Sequence, residues 1–174
     1  MNNELFDVRL SGTHPGYQTV NLCRRPGKDH YVVVIVDLQK LILYSDQHLH
    51  SSFVIPPAEN WTNEERKRMF DFLALPSPEE RHVEMPIVSF NEVQVLFREP
   101  VLKFFSRRRE RLLRYVGYTN GRHRTRYLHF AGALAIPVMC HESQSQLIQR
   151  YCGLEPSQAG YQDKKGHGQT IPTF

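Results

Sequence analysis

Residues 117–140 read Gly-Tyr-Thr-Asn-Gly-Arg-His-Arg-Thr-Arg-Tyr-Leu-His-Phe-Ala-Gly-Ala-Leu-Ala-Ile-Pro-Val-Met-Cys, and the order of elements they encode decides the fold. Leu112 to Tyr118 reads as a strand that ends in the turn Thr119-Asn120-Gly121. Arg122 to Ala131 reads as a helix, with Tyr127, Leu128 and Ala131 on one face and Gly132 placed for a left-handed stop. Ala135 to Cys140 then returns as a strand. Strand, helix and strand in this order predict an α/β (mixed) domain, a small mixed sheet flanked by helices.

The start of that helix is the chemically informative point. A helix N-terminus leaves backbone N–H groups unpaired and carries partial positive charge, so an anion sits there naturally. Gly121 permits a positive φ or a close approach of the backbone to a ligand. Cations in the first turn oppose the helix dipole, yet Arg122, His123 and Arg124 stand where Asp or Glu would be preferred. A local rule broken three times in succession points to a bound anion. The expected phosphate-binding set is therefore Asn120, Gly121, Arg122, His123, Arg124 and Arg126. Arg122 and Arg126 are four apart and share a face, whereas Arg124 is offset, so all three do not aim at one phosphate.

Working outward, Tyr17 to Leu22 alternates as a short strand after a loose lead-in over 1–15. Arg24-Arg25-Pro26-Gly27-Lys28 is a turn, and Tyr31 to Val36 is apolar on both parities, as a strand covered on both faces would be. Asp37 to Leu43 fits one or two helical turns, and 47–60 is loop. Thr62 and Glu65 form a capping box that opens a helix, which Pro76 and Pro78 stop. Met85 to Phe90 is a short strand, and 91–107 is ambiguous because Pro100 interrupts an alternating pattern. Ser143 and Gln146 suggest a second capping box, with Leu147, Ile148 and Tyr151 inward. One domain over 1–153 and a mobile tail over 154–174, rich in Pro, Gly, Gln and Lys, complete the expectation.

Charge is concentrated. The 174 residues hold 22 Lys and Arg against 18 Asp and Glu, a net of only +4. Residues 101–127 alone hold nine basic residues and one acid, an excess of +8, while the other thirteen basic and seventeen acidic residues leave −4 elsewhere. Eight of the nine are Arg, which grips phosphate with two N–H bonds at once. Arg107, Arg108, Arg109, Arg111 and Arg114 are thus candidate DNA contacts. Tyr115, Tyr118 and Tyr127 interleave with them, and core packing is the stronger reading for most of these rings.

Composition excludes several classes. Hydrophobic residues make up 40% and charged residues 23%, an ordinary globular balance, and no apolar run approaches the ~20 residues of a bilayer span. Three scattered cysteines (Cys23, Cys140, Cys152) do not make a disulfide scaffold, and the acid-bearing N-terminus does not read as a secretory signal, so a reducing, cytoplasmic setting without membrane insertion is expected. Cys140 reads as a buried small hydrophobe, and Cys23 beside Arg24 and Arg25 as incidental placement. No P-loop or nucleophile elbow is present, and His48, His50 and His141 lack zinc spacing. Glu84, Glu92 and Glu142 flank expected strand ends and are the weak candidates for a divalent metal.

The segment Gly117–Cys140 resembles the nucleotide-binding box of the ParB/sulfiredoxin superfamily, and the likeness continues through Asn63–Phe90 and Tyr31–Leu41. Its Tyr-Thr-Asn-Gly-Arg-His-Arg-Thr-Arg turn is similar to the plasmid fertility-inhibition branch, the Osa-like and Pin-like proteins of bacterial conjugative elements. The resemblance implies a compact ParB/sulfiredoxin-like domain in which Gly121 lets phosphates approach while His123 and Arg124 contact them. Arg122 stands where sulfiredoxins carry their nucleophilic cysteine, so peroxiredoxin-repair chemistry is not expected. Partition proteins continue into a helix-turn-helix domain and a dimerisation domain, and neither is expected here.

The resemblance further implies ATPase and deoxyribonuclease activity that blocks conjugative DNA transfer. The cofactors would be ATP or another nucleoside triphosphate, with a divalent cation such as Mg. Arg122, His123 and Arg124 would be catalytic: the arginines neutralise charge on the transferring oxygens, and His123 orients or deprotonates water. The partners would be conjugating single-stranded DNA or a protein of the transfer machinery. A second function stays open, a non-catalytic module that blocks transfer by occupying either partner. Charge and spacing alone establish only anion binding.

Overall fold

The computed structural model describes residues 4–74, 83–102 and 105–154, with side chains outside 98–107. The expected tail beyond Leu154, the helix-stopping Pro76 and Pro78, Lys103 and the side chain of Arg107 lie outside the described residues.

Among the described residues, seven strands form two sheets. Strands β1 (Leu5–Arg9) and β2 (Thr19–Cys23) pair antiparallel, and the two-residue β4 (Val83–Glu84) adds parallel to β2. The second sheet has the order β3-β7-β5-β6, from β3 (Tyr31–Asp37), β7 (Ala135–His141), β5 (Ile87–Leu102) and β6 (Phe105–Asn120). Met85-Pro86 stitches the two together: the Met85 amide donates to the Cys23 carbonyl and the Met139 amide to the Pro86 carbonyl. Helices α1 (Leu38–Ser45), α2 (Asn63–Leu73), α3 (Arg122–Phe130) and α4 (Ser145–Cys152) complete a mixed α/β fold.

The strand–turn–helix–strand reading of 112–140 holds, with α3 ending at Gly132 in left-handed backbone. The Thr62–Glu65 capping box is formed as expected, the Thr62 hydroxyl accepting from the Glu65 amide while Glu65 accepts from the Thr62 amide. The Asp37 carboxylate accepts from the Lys40 amide and starts α1. The core gathers where both sheets and all four helices meet, with Leu22, Leu41, Met85, Leu128, Ile136 and Ile148 fully enclosed.

Four expectations are corrected. The lead-in is not loose: Phe6 and Val8 alternate with Asp7 and Arg9, and that period of two forms β1. The doubly covered strand is β7, buried from Ala135 to Cys140, whereas β3 is an edge strand with only Val34 and Val36 buried. Ser143 does not cap α4. It lies in a one-turn 3-10 segment capped by His141, whose side chain accepts from the Ser143 amide, and α4 begins at Ser145 without a side-chain cap.

The largest correction concerns 91–111. Pro100 does not end the strand there, because β5 and β6 pair from Ile87↔Asn120 to Leu102↔Phe105, with register shifts between Ile87 and Val88 and between Pro100 and Leu102. The arginine run is part of β6. Cross-strand partners explain it: Val95 faces Arg111, Leu96 faces Glu110, and Glu92 pairs with Arg114 at 2.6 Å. This ribbon projects from the sheet as an arm, with Leu96, Phe97 and Leu112 exposed along it.

Candidate functional site

Helix α3 starts at Gly121 with φ of 90° and has no side-chain cap and no acid in its first turn. The positive φ requires glycine, and so does packing, since a Cβ there would lie 2.8 Å from the Pro86 Cα. The close approach that the glycine permits is thus made by Pro86, at the seam between the sheets. Thr125 closes the turn, its amide and hydroxyl both donating to the Gly121 carbonyl at 2.9 and 3.0 Å.

Successive residues of a helix point about 100° apart, and the four basic side chains leave the turn in different directions. Arg122 donates to the Ser52 carbonyl at 3.4 Å and lies over the Phe53 ring. His123 points outward to Trp61, ring centroids 5.9 Å apart. Arg126 turns inward and forms an ion pair with Asp46. Its place on the Arg122 face is as the spacing predicts, but its charge is engaged by a carboxylate and it does not converge with the others.

Arg124 is the exceptional member. It is only 8% exposed, folds back to donate one Nη2 hydrogen bond to the Asn120 Oδ1 at 3.1 Å, and lies over the Phe72 ring at 5.6 Å. Its Nη1 is buried without an acceptor among the described residues. A buried donor left unpaired is costly, and a guanidinium more so. Burial accordingly pulls the Arg124 pKa down, opposed by Glu84. Glu84 accepts from the Asn120 side-chain amide at 3.3 Å and lies 3.7 Å from Arg25. Of the three glutamates considered for metal, it alone adjoins the turn. Glu92 is held by Arg114, and Glu142 lies 3.8 Å from His30. Among the described residues no three His, Cys, Asp or Glu side chains gather to hold a metal ion.

Partial desolvation and the neighbouring Arg122 push the His123 pKa below its ordinary value, with Glu65 opposing them. His123 is exposed and borders a groove of about 550 Å³ between the 55–61 loop and α2. Sequence reasoning did not single out this groove or its tryptophan, although a lone Trp immediately before a capping box was the available signal. Cys23 is buried, and that burial together with Glu84 raises its thiol pKa, so no activated thiol sits beside the turn.

The expected DNA contacts lie elsewhere. Arg108, Arg109 and Arg111 are exposed on the arm, and Arg111 stands nine residues before Asn120 on β6, roughly 30 Å at ~3.3 Å per residue. Arg114 is engaged by Glu92 and stacks over Tyr151 at 4.9 Å. Tyr127 is core, as expected, and Tyr115 packs on His48 with ring centroids 4.6 Å apart. No helix among the described residues is long and apolar enough to cross a membrane.

Fold and turn together define a small mixed α/β protein with a cationic, uncapped helix start beside a carboxylate. The family model for the plasmid fertility inhibition factor matches residues 33–153, and the chain belongs to that family. Among solved structures it is similar to the oncogenic suppression activity protein, a plasmid fertility inhibition factor crystallised as a gold(I) cyanide derivative. The two share 12% identity at a TM-score of 0.59, over 89% of this chain and 72% of that one, a likeness of fold alone. No curated protein matches.

Proposed function

We propose that this fertility inhibition factor binds a nucleoside triphosphate at the start of α3 and hydrolyses it in the bacterial cytoplasm. The observation that supports this most is Arg124, a desolvated guanidinium with an unpaired Nη1 at a helix start that no side chain caps. Turned toward solvent, the Arg124 guanidinium would donate to a phosphate oxygen that also accepts from the amides of the first turn, and so gain the acceptor that Nη1 lacks. Arg122 would give up its hydrogen bond to Ser52 and its place over Phe53 to reach the same anion. His123, its pKa lowered by desolvation and Arg122, would position or deprotonate the attacking water, and Glu84 would help to hold a divalent cation, which would supply charge neutralisation. Asn120 orients Arg124 and Glu84 together, holding cation and carboxylate in register.

Phosphodiester cleavage in DNA is the same chemistry on a longer substrate, with the exposed arm arginines holding the strand. Occupying DNA, or a protein of the transfer machinery, without turnover is the alternative, and it is favoured by the distance between arm and turn. Phosphate release from ATP in the presence of Mg separates the two. Turnover should be present in the native chain and fall about a hundredfold or more in Arg124→Ala, the loss typical of one charge-stabilising donor. Binding without any turnover would leave the non-catalytic module standing.

A further inference from the structure

The groove beside the turn has features that the phosphate site does not use. Trp61 forms one wall, its indole N–H fixed by the Pro56 carbonyl at 3.0 Å, and Ile55, Met69 and Phe72 supply apolar surface. His123 and Phe72 belong to both places: His123 borders the groove while extending from the first turn of α3, and the Phe72 ring also carries the Arg124 guanidinium, 5.6 Å from its centroid. Glu65 and Arg68 also face the groove, and their charges offset each other there. Such a groove is aromatic, apolar and electrically balanced. It suits a flat neutral ring and does not attract a phosphate, whereas the adjoining turn has the opposite character.

We infer that the Trp61–Phe72–His123 groove seats the base of a nucleotide whose phosphates lie at the α3 start, so that the ligand class is a nucleotide rather than a bare phosphate or phosphorylated side chain. This rests on the phosphate reading above and extends it by a second, separate contact. Stacking on an aromatic face is tolerant of base identity, since every base offers a π-surface. The inferred site therefore binds purine and pyrimidine nucleotides with similar strength.

Trp61 is the chain's single tryptophan, so its emission reports this groove directly. The full-length protein is titrated with ATP and, separately, with tripolyphosphate, which has the charges and no base. ATP should quench Trp61 emission saturably, while tripolyphosphate should leave it unchanged yet displace ATP and restore it. By calorimetry, Trp61→Leu should weaken ATP about tenfold, the loss of one stacked base, with tripolyphosphate affinity unchanged and Trp61→Tyr close to the native value. Quenching by both ligands alike, or an unaltered ATP affinity in a folded Trp61→Leu, would overturn the base site. If tripolyphosphate binds through Arg124 but ATP binds no tighter and quenches nothing, the base site alone fails. If neither ligand binds, the phosphate reading falls and takes the base site with it.

Discussion

The two ends of β6 carry arginines in opposite physical states. Toward its start, Arg108, Arg109 and Arg111 stand on the projecting arm in contact with water. Just past its end, Arg124 and Arg126 are buried at the head of α3. An exposed guanidinium keeps its hydration and gains little from any one partner, while a buried one has lost its water and must find a replacement. Arg126 has found Asp46; Arg124 has only a neutral amide for one nitrogen and nothing among the described residues for the other. Charge density alone favours the arm as the place where chemistry happens. Burial reverses that order, and the function proposed above accordingly has the turn bind a small anion and the arm attract a polyanion.

Stability gives the sharpest contrast between the regions. Gly121→Ala forces a side chain into left-handed backbone and against the Pro86 main chain, and should destabilise the protein by about 3 kcal/mol in denaturant unfolding. Replacing Arg108, Arg109 and Arg111 together by Gln should change the same measurement by less than about 0.5 kcal/mol. A tolerated Gly121→Ala would show that the turn is not the rigid junction described above.

DNA binding should divide the other way. The triple arm variant should lower affinity for a single-stranded oligonucleotide about tenfold at low salt and flatten the slope of log affinity against log salt by about 2, at ~0.7 per phosphate contact. An unchanged slope would remove the arm from the interface.

The smallest expected effect is the most local. His123, held below the ordinary imidazole value of about 6.5 by desolvation and by Arg122, gains its proton at a lower pH than a free histidine does. Hydrolysis that uses it as a base should be constant above that pH and decline on the acid side, and His123→Gln should remove the decline. A limb centred above 6.5, or one that survives the substitution, would assign it to another group.

Much of this was legible in residue order. The turn at Asn120–Gly121, the helix to Phe130, the Thr62 cap and the strand at 135–140 each follow from local chemistry, and a family resemblance carried on those residues is matched by the family model over 33–153. The arm was not legible, because its strand character comes from pairings such as Leu96 with Glu110 and Val95 with Arg111, which a single strand's pattern does not contain. The site was half legible. Sequence spacing placed Arg122 and Arg126 on one face but could not show that Asp46, eighty residues earlier, engages one of them. It also could not bring Glu84, Trp61 and Phe72 to the turn, since only packing across the two sheets and α2 does so.

The central claim, that the buried arginine and not the exposed ones recognises the nucleotide, is tested most directly by calorimetric titration of a non-hydrolysable ATP analogue into three proteins. The native chain and the triple arm variant should bind it with the same affinity, and Arg124→Ala, still folded, should bind about a hundredfold more weakly, as expected for loss of hydrogen bonds to a charged group. Full affinity in Arg124→Ala with loss in the arm variant would contradict the account and move the nucleotide to the arm.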